Sequence, residues 1–276
     1  MAAFPAAAQT FEIGGKSTSA GEKKKTPAGK KSKGGSSAAP SSGLGWGASI
    51  DVTRDARAAE QAIKRGNTAQ AAMYAERAVK KAPQNPRLWF LLGYTSRLAG
   101  RYGQSVQSYQ KGLSMEGRSA EGLSGLAQTY AKMGRRDEAK RLLTQAIAAA
   151  PKNITNYLVL GEMQIQSGEF QTGLNTLQRA EAMKPSSHTE LLMAVAYMKL
   201  KQMDRAKAML AKAKARDPKN VQIFRAVANF QREEKDYNAA IATLKSAPRM
   251  TPELLGDLGF TYEMAGNLKE SAACYQ

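Results

Sequence analysis

The chain has 276 residues, a net charge of +18 and one cysteine, Cys274, which excludes an internal disulfide. Apolar residues make up 42% and aromatic residues only 7%, a balance that suits closely packed helices better than strands. The longest apolar runs fall well short of the roughly 20 residues that cross a bilayer, so no membrane span is expected.

Residues 1–50 hold seven Lys against two Glu, leaving 34 basic and 21 acidic residues for 51–276. Gly, Lys, Ser, Ala and Pro dominate 14–45. Such a segment buries too little apolar surface to offset its ordering entropy, so a disordered tail is expected over 1–50. Its basic cluster, Lys23, Lys24, Lys25, Lys30, Lys31 and Lys33, has three readings. They are a solvated linker, a tail that contacts a polyanion or membrane, and an import-like signal. Upstream, Phe4-Pro5-Ala6-Ala7-Ala8-Gln9 shows the small-residue pattern that precedes a secretory cut. The charged and apolar stretches that should come before it are missing. Two readings stay open: chance Ala-richness in a cytoplasmic protein, or a late start at Met1 in a longer, exported precursor. On the second, 1–8 is a signal remnant and the protein is periplasmic or secreted.

From about Asp51 the helical period takes over. Gly66, Gly100, Gly134 and Gly168 recur every 34 residues, and Pro83, Gly117, Pro151 and Pro185 keep the same step. Each Gly falls where one helix must stop and reverse, a place that favours left-handed backbone. Each Pro falls where a second helix has ended. Unit one is read as 52–85, with small residues Ala59, Gly66, Ala71 and Ala78 at positions 8, 15, 20 and 27. Small side chains there let two antiparallel helices approach closely. Unit two, 86–119, has Trp89, Leu92, Gly93, Gly100 and Tyr109; unit three, 120–153, has Leu123, Leu126, Ala127, Tyr130 and Gly134. Unit four, 154–187, has Tyr157, Leu160, Gly161, Gly168 and Gly173. The spacing then slips: unit five is placed at 187–220, unit six at 221–251 with a Pro248–Pro252 loop, and a truncated unit seven at 252–276.

This pattern resembles the tetratricopeptide repeat family over roughly 52–276. The resemblance implies an all-α, right-handed superhelical solenoid that holds peptides or partner proteins. A closing polar helix is not seen after unit seven, and a solenoid needs one to cover its last apolar face. The expectation is therefore a longer native chain, or self-association through that face.

Enzyme chemistry is not expected. The single His, His188, and Cys274 lie two units apart, and no zinc-like ligand spacing or phosphate-cradling Gly motif occurs. No metal and no cofactor are expected. What the resemblance implies is binding: the first helix of each unit lines the concave side, with positions 2, 5, 9 and 12 facing it. Carried onto this sequence, the groove residues are Arg87, Phe90, Tyr94 and Arg97, then Leu158 and Glu162, then Leu191, Val195 and Met198, then Arg225, Asn229, Arg232 and Phe260. An apolar stripe rimmed by Arg suits an extended or helical peptide. Arg225 and Asn229 also match two positions of the family's clamp for a terminal carboxylate. Asp257 stands where that clamp needs Asn, and a carboxylate there would repel the ligand's own, so a full clamp is not expected. Unit five carries eight Lys and Arg against Asp204 and Asp217. This supports an alternative, a basic module that binds a polyanion or anionic envelope surface, although no stacking aromatics are interleaved. A third reading makes the repeats the recruiting arm of an enzyme or assembly machine encoded beyond Gln276.

Overall fold

A computed structural model describes residues 49–276. The Lys-rich cluster and the export reading of 4–9 lie outside the described residues. The described chain is all-helical, and its fourteen helices pack as consecutive antiparallel pairs. In order these are α1 (Ile50–Lys64) with α2 (Thr68–Lys81), α3 (Pro86–Leu98) with α4 (Tyr102–Met115), and α5 (Ala120–Lys132) with α6 (Arg136–Ala149). Then come α7 (Ile154–Gln166) with α8 (Phe170–Met183), and α9 (Ser187–Lys199) with α10 (Met203–Arg216). The last two pairs are α11 (Val221–Glu233) with α12 (Tyr237–Lys245), and α13 (Pro252–Met264) with α14 (Leu268–Tyr275).

The reversals within pairs follow one chemical rule. Gly66, Gly100, Gly134, Gly168 and Gly266 all take positive φ, between 74° and 82°. At the first of these turns Gly66 N–H donates to the Ile63 carbonyl and Asn67 N–H to the Ala62 carbonyl, both at 2.9 Å, which satisfies the last carbonyls of α1. Pairs five and six break the rule: Lys201 (φ 59°) and Lys235 (φ 63°) hold the same left-handed backbone without being Gly. Between pairs the next helix is started by a side-chain cap. Asn85, Asn153 and Asn220 accept from the N–H of Arg87, Thr155 and Gln222, while Ser119 and Ser186 cap α5 and α9.

Close approach explains the small residues. Ala59, Ala71, Ala78, Ala127, Ala139, Ala146, Ala194, Ala206 and Ala213 have no exposed surface. The Tyr109 ring of α4 lies across Gly125 of α5, where an added Cβ would stand 2.3 Å from it. Burial pushes the Tyr109 phenol well above the ordinary tyrosine range.

Beyond its own partner and the second helix of any pair before it, each first helix also meets a neighbouring first helix. Contacts join α1 to α3, α3 to α5, α7 to α9, α9 to α11 and α11 to α13, whereas successive second helices make no comparable contact. Elements spaced more closely on one side curve the stack toward that side. The first helices therefore line the concave surface and the second helices the convex one.

Candidate functional site

The concave surface is built from the odd-numbered helices, and the expected groove residues fall on it unequally. Phe90 is 1% exposed; its ring fills the space over Gly112 and Gly122, where an added Cβ would come within 2.4 and 2.6 Å. It also stacks on Tyr109 with centroids 6.3 Å apart. Tyr94, Leu191 and Met198 are buried as well. These four side chains belong to the core rather than to an open groove, which corrects the expected apolar stripe. The reason is packing: α3 and α9, which carry these four residues, are each wedged between their partner, the second helix before them and two neighbouring first helices, so the stripe left to solvent is narrow.

What does reach the concave surface is more polar. Arg87 is exposed at the start of α3, and Arg97 lies over the Tyr94 ring, 5.2 Å from its centroid. Leu158 and Val195 are half-buried, each with one side against the core that joins pairs four and five. Glu162, on the same helix as Leu158, is half-buried and accepts from Gln166 Nε2 at 3.2 Å. Desolvation raises its carboxyl above the ordinary glutamate range, and the charges of His188 and Lys132 partly offset this. His188 thus belongs to the electrostatics of the concave surface. Cys274 packs beside the last core cluster instead.

The residues of the last two pairs come together most tightly. Arg225 Nε donates to Asp257 Oδ2 at 2.5 Å, joining α11 to α13. Arg232 donates to Thr261 Oγ1 at 3.0 Å, to Asn229 Oδ1 at 3.3 Å and to the Asp257 carbonyl at 3.4 Å. Its guanidinium lies 5.5 Å from the ring centroid of Phe260, a residue that is 48% exposed. Burial lowers the Arg232 pKa from its usual value, with the Asp257 charge working against that shift. Asp257, set aside as the residue that spoils a terminal-carboxylate clamp, is itself the carboxylate that Arg225 holds.

Sequence reasoning missed two buried acids. Asp55 and Glu190 occupy the fourth position of their pairs, where Trp89, Leu123, Tyr157 and Phe224 stand in others, and both are at most 2% exposed. Each is met by a base 26 residues on: Lys81 Nζ at 2.6 Å from Asp55, and Arg216 Nη2 at 3.0 Å from Glu190. The signal was present, as an acid at an aromatic position and a base in the last turn of the same pair.

Among the described residues no group of three His, Cys, Asp or Glu could share a metal ion, and no helix is long and apolar enough to cross a membrane.

Sequence profiles of the tetratricopeptide repeat match residues 56–120, 96–163, 132–190 and 164–230, together more than half of the chain. The chain belongs to the tetratricopeptide repeat family. Members of this family generally mediate protein–protein interactions. No curated protein matches the sequence. Among solved structures the chain is similar to a tetratricopeptide repeat protein from Parabacteroides merdae, at 15% identity over 82% of this chain and 91% of that one, with a TM-score of 0.70. A thermophilic repeat protein from Thermus thermophilus matches at 22% identity over 65% and 98% of the two chains, TM-score 0.54. YrrB, a tetratricopeptide repeat protein with an unusual peptide-binding site, matches at 14% identity over 73% and 97%, TM-score 0.53. These likenesses concern the fold.

Proposed function

We propose that this tetratricopeptide repeat protein is a non-enzymatic scaffold whose concave surface holds a segment of a partner protein. One observation carries the reading: half-buried apolar and charged side chains, from Arg97 through Leu158, Glu162 and Val195 to Arg232 and Phe260, share the first-helix face. Mixed apolar and charged grooves of this kind give a peptide both anchoring area and register. YrrB offers a parallel in family and fold only.

Replacing Tyr94 and Leu191 by Asp would be a poor test, since both are buried and the double variant would act through folding. A photo-crosslinking residue at Arg87 or Glu162 on the concave surface, compared with one at Lys207 or Lys212 on the convex surface, separates binding from stability. Crosslinks to one partner band from the concave positions alone support the groove. Crosslinks from the convex positions alone remove it.

The second reading is a polyanion-binding convex surface. It draws on α10, where Lys207 and Lys212 are exposed while Arg216 is taken up by Glu190 and Lys214 lies over Phe224. Polyanion binding would weaken steeply between about 50 and 200 mM salt, and groove binding only slightly.

A further inference from the structure

The concave ends of α11 and α13 hold two guanidiniums and one carboxylate. Arg225 and Arg232 stand seven residues apart on α11, so two turns put them on one face. Asp257 of α13 is engaged by Arg225, and both side chains are about four-fifths buried, at 18% and 23% exposure. The hydrogen bonds of Arg232 go to three neutral oxygens: a hydroxyl, an amide and a backbone carbonyl. Of the nearby acids, Glu233 stands 3.9 Å from Lys201, and Glu253 is exposed in the first turn of α13. Among the described residues Arg232 therefore has no carboxylate within ion-pairing distance, and it lies half-buried against a Phe side chain that is nearly half open to solvent.

That combination has a matching ligand. A guanidinium held by neutral acceptors gains most from an anion that brings its own charge, in a place where water screens weakly. The exposed Phe260 ring beside it rewards an apolar neighbour of that anion. We propose that this cluster is a receptor for an acidic–apolar segment of a protein partner, with a Glu or Asp carboxylate on Arg232 and the adjacent apolar side chain on Phe260. The proposal rests on the concave-groove reading and names the partner chemistry at one end of it. The Arg225–Asp257 pair already shows how a carboxylate seats in this cluster. A nucleic-acid strand fits less well, because its repeated phosphates would run on from Arg232 to Asp257 and Glu253, whereas a single carboxylate need meet only Arg232.

The test uses the full chain and fluorescein-labelled peptide pools with a fixed central Glu-Leu or Glu-Phe and randomised flanks, at about 150 mM salt. Control pools carry Gln or Lys in place of Glu. Fluorescence anisotropy should show the Glu pools binding about tenfold more tightly than the Gln pools. Phe260→Ala and Arg232→Gln should each weaken the Glu pools about tenfold, with Phe260→Trp restoring binding. Asp257→Asn removes the internal competitor and should tighten binding several-fold. The Arg232 Nε–Hε resonance in a 15N spectrum should move on titration, which a merely structural arginine would not do. Equal binding of all three pools, or preference for the Lys pools, overturns the proposal. If Glu162→Arg abolishes binding of the Glu pools while Phe260→Ala and Arg232→Gln do not, this receptor fails and the groove reading stands. If no concave variant matters, the groove reading fails with it.

Discussion

Arg216 in the last turn of α10 reaches back 26 residues to Glu190 in α9, meeting both carboxylate oxygens with Nε at 3.2 and 3.3 Å and with Nη2 at 3.0 Å. Glu190 is wholly buried, whereas the Arg216 side chain is 44% exposed. The two halves of the pair are therefore not equivalent. Arg216→Ala strands a buried negative charge and should lower the denaturation midpoint clearly, though less than for a pair buried on both sides, because Arg216 itself meets solvent. Glu190→Leu restores the apolar kind of residue found at that position in other pairs, frees Arg216 to solvent, and should be neutral or stabilising. Urea denaturation of both variants checks the asymmetry; equal losses would contradict it.

Two lysines carry backbone strain that glycine carries elsewhere. Lys201→Gly and Lys235→Gly should each stabilise the protein by about 0.5–1 kcal/mol, because a left-handed conformation costs a residue with a Cβ more than it costs Gly. Gly134→Ala at the equivalent turn should lose about 1 kcal/mol, although an added Cβ there would meet open space. Opposite signs in thermal melts of the two kinds of variant are the expected outcome.

Asn156 of α7 is fully buried, and neither its Oδ1 nor its Nδ2 finds a partner. It occupies the third position of its pair, where Leu88, Ile223 and Leu254 are equally buried. Replacing it with Leu removes an unsatisfied amide and adds apolar contact, so Asn156→Leu should stabilise by about 1–3 kcal/mol. A fall in denaturation midpoint would show that the amide serves a purpose at the junction between pairs three and four.

Glu162 gives a pH signature. Its folded pKa is raised by desolvation, so the folded chain holds this proton more tightly than the unfolded one. Its contribution favours folding below the unfolded pKa and is lost as pH rises through the higher folded value. Glu162→Gln should therefore raise Tm at neutral pH and flatten the decline of Tm as pH rises above the ordinary glutamate range. An unchanged slope would mean that solvent relieves the carboxylate.

The period of 34 residues, the glycines at the reversals and the buried alanines were legible in the sequence because each answers a local demand: a positive φ, a helix cap, or a close approach that any larger side chain would block. These demands repeat from pair to pair, and so do the residues that meet them. Which concave positions face solvent was a different matter. Phe90 and Phe260 are read alike from the pattern, yet one fills the gap above Gly112 and Gly122 while the other stands nearly half exposed. Burial there depends on the neighbouring first helix, and the sequence of one helix does not contain the shape of the next. The charge partners Arg225–Asp257 and Glu190–Arg216 were decided in the same way, by packing that brings together residues 32 and 26 positions apart. Local backbone chemistry set the repeat; contacts between helices decided which side chains were left for a partner.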